Sequence, residues 1–414
     1  MKVVLVDPSL FTLPYDRELA AGLRAGGHQV TLYGTPMPDQ GVGPGDDGQA
    51  VVPHFYRRLS GLPSLPKAVQ RVAKGFSHGL DMRAFCTAME QARPDVIHFQ
   101  WLPLPLLDRL FLARLRRIAP LVLTVHDTTP FNGSPGSSLQ ALGALAVLRE
   151  FDGLIVHTAQ GCRTIAGHTA GPARIRVIPH GLLHQADLTR DPVDGAQPSG
   201  DDGPGHVRFL LFGKIKPYKG VDVLLHALAL LPAEARRRCR VRVVGKPYMD
   251  VAPLEALADR LGVADAIGFE WRFIADSELT RLFHESDVLL FPYRQIEASG
   301  VLMTAIAVGK PVIATRMGAA AELFAQGDGG ILIAADRADE LAAAMRRFID
   351  VPGSVASGAA HVRQLRDAIP SWVEIGRLTA QAYQSAAAAS GRETAPADRP
   401  EGTLPDSGRE AAKP

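Results

Sequence analysis

Residues 207–231 read VRFLLFGKIKPYKGVDVLLHALALL, and this stretch decides the fold. The first six residues are an apolar, strand-length run that stops at Gly213. A short loop carrying Lys214, Lys216 and Lys219 around Pro217 follows, and from Val221 the apolar residues are dense enough for a buried helix. Strand, tight loop and helix in 25 residues is the repeating half of a βαβ unit, which builds a parallel sheet. The pattern continues downstream: strand Val241 to Val244, helix Leu254 to Leu261, strand Val288 to Phe291, helix Val301 to Val308, then strands Pro311 to Ala314 and Gly330 to Ile333. Upstream lies ADLTRDPVDGAQPSGDDGPGH, residues 186–206, with five aspartates against one arginine and many chain breakers. Such a composition predicts a linker.

The same alternation occupies the chain before that linker. Lys2 to Asp7 reads as a strand, Tyr15 to Ala25 as a helix closed by Gly26 and Gly27, and Val30 to Tyr33 as the next strand. Asp95 to Gln100, the helical Leu104 to Ile118, Leu121 to His126, Gly153 to His157 and Ile175 to Ile178 extend the series. The expected fold class is α/β, with two Rossmann-like doubly wound domains facing across a cleft. The boundaries follow as a first domain over 1–185, linker 186–206 and second domain 207–370. Residues 371–389 form a further segment, and the tail 390–414 is expected to be disordered.

Composition narrows the function. The chain has 414 residues, 46% of them hydrophobic and 21% charged, which supports real cores and excludes a fibrous or disordered protein. A net charge of +2 argues against nucleic acid as a partner. Cys86, Cys162 and Cys239 are far apart and odd in number, as expected in a reducing compartment. The apolar start Val3 to Val6 is broken by Asp7-Pro8, and the uncharged 128–148 stretch holds prolines and serines, so neither reads as a signal or a span. A cytoplasmic protein is expected. Residues 1–185 alone carry a net +5, with Arg57-Arg58 and the segment 108–117 prominent. A solvated helix face is the first reading of that charge, and peripheral contact with an anionic membrane at its inner face is the second.

Chemistry concentrates where strands end. Lys214 and Lys219 follow Gly213 and precede a helix N-terminus, a combination suited to neutralising a diphosphate. A second strand end, Phe291-Pro-Tyr-Arg-Gln-Ile-Glu-Ala-Ser-Gly-Val, puts Ser299, Gly300 and Val301 at the start of another helix. Glu297 just before that anion site suits a neutral partner such as a sugar hydroxyl. His126, followed by Asp127, ends an interior strand. No Asp-x-Asp occurs, so no metal ligands are expected for a diphosphate.

Together, FGKIKPYKGVDVLLHAL at 212–228 and ESDVLLFPYRQIEASGVLMTAIAVGKPVIAT at 285–315 resemble the donor domain of family 4 glycosyltransferases of the GT-B fold. DVIHFQW at 95–101, LTVHDTTPF at 123–131 and VIPHGL at 177–182 agree for the first domain. The resemblance covers roughly residues 1–385 and implies that a helix over 371–389 crosses back to the first domain. It implies a retaining, metal-independent hexosyltransferase that needs no cofactor besides its nucleotide-sugar donor and acts on a glycan or lipid-linked acceptor. By the same resemblance Lys214 and Lys219 bind the donor diphosphate, amides of Gly300 and Val301 meet its phosphate, Glu297 approaches the donor sugar and His126 contacts that sugar from the other domain. Two departures stand out. Ala305 occupies the place of the family's second carboxylate, which grips the ribose, and DPSLFTLP at 7–14 replaces a Gly-Gly loop. A non-catalytic nucleotide-sugar or glycan-binding module, and a sugar-nucleotide epimerase of similar fold, are the rival readings.

Overall fold

A computed structural model describes residues 1–37, 51–59, 67–128, 143–169, 171, 174–183, 206–295, 298–325, 327 and 329–392. Linker residues 186–205, Glu297 and the tail from residue 393 lie outside this set. Two all-parallel sheets organise the chain. The first contains β1 (Lys2–Val6), β2 (Gln29–Gly34), β3 (Val51–Pro53), β4 (Val96–Phe99), β5 (Leu121–Val125), β6 (Gly153–Val156) and β7 (Ile175–Val177) in the order β3-β2-β1-β4-β5-β6-β7. The second contains β8 (Val207–Phe212), β9 (Cys239–Val244), β10 (Ile267–Glu270), β11 (Val288–Phe291), β12 (Val312–Thr315) and β13 (Gly330–Ile333) in the order β10-β9-β8-β11-β12-β13.

Both sheets are buried on both faces, which is why their strands read as near-continuous apolar runs. Alternate residues of the first sheet go to opposite cores. Val4, Val6, Ile97, Phe99, Leu121 and Leu123 join one cluster, and Val3, Leu5, Val96, Val122 and Ile155 join the other. The second sheet divides in the same way.

Strand order reverses between β1 and β4 in one sheet and between β8 and β11 in the other. Crevices for ligands in open α/β sheets lie at such switch points, beyond the carboxyl ends of the strands. Each domain therefore offers a crevice at the positions where the sequence puts its strand-end histidine and lysines.

The helix Trp372–Ala389, capped by Ser371 accepting from the Glu374 amide at 3.3 Å, lies in the core of the first domain. Tyr383 and Ile375 are buried there beside Leu19 and Leu23 of the helix Leu13–Ala25. The two helices meet backbone to backbone. A Cβ on Gly22 would stand 1.9 Å from the Trp372 carbonyl oxygen, and one on Gly376 would stand 2.5 Å from the Gly22 carbonyl carbon. Only glycine permits that approach.

Several elements went unread in the sequence, among them β3, β10 and the helices Lys67–Ala92, Ala338–Asp350 and Ser354–Ala368. The helix Lys67–Ala92 contains Gly75 and Gly79 and leaves large apolar residues exposed, so its pattern is not that of a simple amphipathic helix. Cys86 and Cys239 are buried free thiols and Cys162 is a partly buried one. Among the described residues no helix is long and apolar enough to cross a membrane.

Candidate active site

On the second domain the loop after β8 is compact rather than solvated. Lys219 ends a short 3-10 turn, Pro217–Lys219, and folds back so that its side chain is only 3% exposed as a residue. Its Nζ donates to the Phe212 carbonyl oxygen at 3.2 Å and to the Tyr293 hydroxyl, and stands 4.2 Å above the Tyr293 ring. Burial, reinforced by Lys216 and Lys214, pulls this amine down to about 7. Lys214 and Lys216 are lowered as well, chiefly by desolvation. Three amines held below their ordinary range in one loop form a site whose charge an anion would stabilise.

Gly213 is what lets the loop close. Its φ is +121, and a Cβ there would stand 3.1 Å from Lys219 Nζ and 3.5 Å from Val301 Cγ2. Gly213, Lys219 and Val301 are thus brought together. Ser299 caps the helix Gly300–Ala307, its hydroxyl accepting from the Leu302 amide at 3.3 Å. The free amides at that helix start add partial positive charge beside the lysines. Arg294 fastens the arrangement: its guanidinium donates to both carboxylate oxygens of Asp222 at 2.9 and 2.6 Å and to the Pro217 carbonyl at 2.9 Å. Ala305 is fully buried in the second domain's core, with nothing polar to offer a ribose. Glu297 lies outside the described residues.

The neighbouring strand end sets a steric limit. A Cβ on Gly245, at φ +153, would sit 1.8 Å from the Gly213 carbonyl oxygen. Gly245→Ala is therefore expected to part the β8 and β9 ends and cost about 3 kcal/mol or more. Its urea midpoint should drop accordingly, and an unchanged midpoint would contradict this packing.

On the first domain, half-buried His126 follows β5 and joins the buried His157 and His180 in a run of imidazoles. His157 Nδ1 lies 3.0 Å from the Ile178 carbonyl oxygen, His157 Nε2 lies 3.0 Å from His126 Nδ1, and His126 Nε2 lies 3.1 Å from the Gln100 side-chain amide. Burial pushes His157 down to about 3, His180 to about 4 and His126 well below its ordinary value, so the rings are neutral. Neutrality fixes the tautomers. His157 must donate from Nδ1 to the carbonyl, so its Nε2 accepts from His126 Nδ1–H. His126 Nε2 is then a bare acceptor, so Gln100, whose Oε1 is placed 3.1 Å from it, must turn its NH2 end there instead, since an amide's two ends are assigned from their network. Tyr15 packs edge-on against His126 and His180 at 4.7 and 5.0 Å between centroids.

His98 plays a different part. It bridges the Tyr383 hydroxyl and Thr124 Oγ1, each at 2.7 Å, and so bolts the returning helix to the sheet.

The two domains face each other here. Lys214 Nζ stands 4.5 Å from the ring centroid of Phe11, which stacks on Trp101 at 4.8 Å. Asp127 lies close enough to oppose the lowering of Lys216. A Cβ on Gly300 would come within 3.0 Å of Leu183 Cδ1. Gln160 bridges farther out, its amide donating to Glu322 Oε1 and its Oε1 accepting from the Gly318 amide, both at 3.1 Å. Next to His126 a pocket opens between Gln100, Trp101, Pro105, Val125 and Ala144.

Sequence reading missed His157, His180, Gln100 and the Tyr293 and Arg294 supports. Their shared signal was available, since each stands within three residues of the end of a strand or, for Gln100, immediately after β4. Among the described residues no group of three His, Cys, Asp or Glu is placed to hold a metal ion.

Comparison with known proteins agrees with this geometry domain by domain. Residues 14–181 match the profile of the glycosyl transferase 4-like domain, and residues 206–350 match that of glycosyl transferases group 1. The chain belongs to this glycosyltransferase family. It is 31% identical over 266 residues to D-inositol 3-phosphate glycosyltransferase of Rhodococcus jostii, an alignment covering 60% of this chain and 58% of that one. The chain thus spans about three fifths of the length of such relatives. Sucrose-phosphate synthase of Thermosynechococcus elongatus superimposes with TM-score 0.74 at 20% identity, over 94% of this chain and 100% of that chain. Anabaena HepE, solved with UDP and glucose, does so with TM-score 0.67 at 17% identity, over 93% of this chain and 100% of that chain. At these identities the likeness is one of fold, and that fold is GT-B.

Proposed function

We propose that the chain transfers a hexose from a nucleotide-sugar donor to a glycan or lipid-linked acceptor, with retention of anomeric configuration and without a metal. The observation that carries this reading is the buried Lys219 amine, held beside a capped helix start in a loop whose Lys214 and Lys216 reach Phe11 and Asp127 of the first domain. Charge builds on the diphosphate as the sugar leaves. Lys219, Lys214 and the amides at Gly300 and Val301 would stabilise that charge, the task for which a divalent ion is the common alternative. Glu297 would orient the sugar. His126 is neutral and its Nε2 is already engaged by Gln100, so it would contact the sugar with its ring edge instead of acting as a base.

Family kinship and the HepE complex with UDP and glucose support a nucleotide sugar as donor. The basic first domain supports a peripheral position at an anionic membrane. The test is donor turnover followed by proton NMR in the presence of EDTA. Formation of the anomer found in the donor, at an unchanged rate with chelator, is expected. An inverted product or a chelator-abolished rate would overturn the mechanism. Tight binding with no turnover would favour a binding module, and conversion of the donor sugar without acceptor an epimerase.

A further inference from the structure

Helices Lys67–Ala92 and Pro105–Ile118 lie side by side and run parallel. His78 Nε2 meets Asp108 Oδ1 at 2.5 Å and His78 Nδ1 meets the Tyr56 hydroxyl at 2.9 Å, while Arg114 pairs with Glu90 farther along. Their buried sides are thus tied together, yet their outer faces are apolar. Val69, Val72, Phe76 and Leu80 recur at spacings that keep them on one side of the first helix, and Leu106 and Leu110 do so on the second. Val72 is 74% exposed, Phe76 72% and Leu110 73%. The first stripe alone is about 17 Å long at the helical rise. A soluble surface rarely shows so many large apolar groups in one place.

The charge around this face is of one sign. Arg83 and Arg117 prolong the two stripes and make no ion pair among the described residues, while Lys74 and Arg58 stand at the edge. Neighbouring carboxylates are used up. Asp108 is buried, Asp81 is nearly so, Glu90 holds Arg114 and Glu150 holds Arg109. The face also continues into the site. Leu106 lies against Gly143, where a Cβ would come within 2.4 Å of Leu106 Cδ2, and the adjoining Pro105 and Ala144 line the pocket beside His126.

We propose that this two-helix face docks on an anionic lipid surface, burying the stripe in the headgroup–acyl boundary with Arg58, Lys74, Arg83 and Arg117 against lipid phosphates. Docked this way, the mouth of the His126 pocket meets the bilayer surface, which gives a lipid-linked acceptor its route. In purpose the inference rests on the proposed transfer, but its test does not.

The full-length chain is sedimented with vesicles of phosphatidylcholine alone or with one-third phosphatidylglycerol, at low and at physiological salt. Binding that requires phosphatidylglycerol and weakens with salt is expected. V72S/F76S/L110S should weaken it at least tenfold, and R83E/R117E should do likewise by the charge route if the first variant folds poorly. Nucleotide-induced thermal stabilisation, measured on the same variants, should be unchanged, and it alone reports failure of the donor site. No binding of the unmodified chain at low salt, or equal binding of both folded variants, would overturn the proposal. So would a dimer in sedimentation velocity that V72S/F76S/L110S dissociates, because a second copy would then be what covers the face.

Discussion

Lys219→Ala is expected to reduce transfer by about a hundred- to a thousandfold, the range seen when one preorganised donor to a developing negative charge is removed. The amine is buried, it is held by Phe212 and Tyr293, and its Nζ is what a Cβ on Gly213 would meet first, at 3.1 Å. Lys219 also gives binding a pH signature. In the ligand-free protein its amine titrates at about 7. A bound diphosphate favours the charged form and raises that value, so nucleotide binding at pH 8 takes up close to one proton. Calorimetry in buffers of different ionisation heat should report that uptake, and Lys219→Ala should abolish it. Affinity should fall as pH rises above 7, by up to tenfold per unit. Wild-type affinity flat from pH 7 to 9 would contradict the assignment.

The stability of the same residue runs the other way. Its folded value lies below the ordinary 10.5, so the unfolded chain binds more protons between about 7 and 10.5. Unliganded protein should gain stability as pH rises through that window, by about 1.4 kcal/mol per unit for one full proton.

Acid should unfold the first domain steeply. His98 and His157 are held down to about 3, His180 to about 4, and His126 is lowered too, all chiefly by burial. Between those values and 6.5 the unfolded chain binds the extra protons, so stability is lost as pH falls. Asp7 and Asp16 oppose this. Burial raises both, Asp16 well above the usual range with Asp7 as a further cause, and the folded state therefore keeps protons that the unfolded state gives up above 3.8. Four histidines set against at most two carboxyls leave a net uptake of about two protons on unfolding. Between pH 6 and 4 the loss should be on the order of 5 kcal/mol. Denaturant midpoints across this range measure it directly. Asp16→Asn should steepen the slope, since Asp16 Oδ2 has no hydrogen-bond partner among the described residues and the change removes a titrating group. A slope below one proton would contradict the neutral-histidine network.

Much of this architecture was legible because parallel strands buried on both faces write themselves as uninterrupted apolar runs. Val207–Phe212, Val288–Phe291 and Gly330–Ile333 match their sequence reading end for end. Gly213 and the lysines could be placed at a strand end for the same reason. The helix Lys67–Ala92 was illegible because it breaks the rule that reading relies on, with a glycine-bearing inner side and an apolar outer face. The histidine relay was hidden for another reason. His126, His157 and His180 are 23 or more residues apart in sequence, and only the adjacency of β5, β6 and β7 brings them together. Lys219 shows the limit of composition: three lysines around a proline look solvated, and burial of one depends on Tyr293, 74 residues away.

The most direct measurement is calorimetric titration of the full-length chain with UDP-, GDP- and ADP-sugars at pH 8, with and without EDTA. Saturable binding of one nucleotide series is expected, indifferent to chelator, coupled to proton uptake and lost in Lys219→Ala. Absence of binding by all three, or binding that only a divalent ion restores, would contradict a donor site built on Gly213, Lys214, Lys219 and the helix start at Gly300.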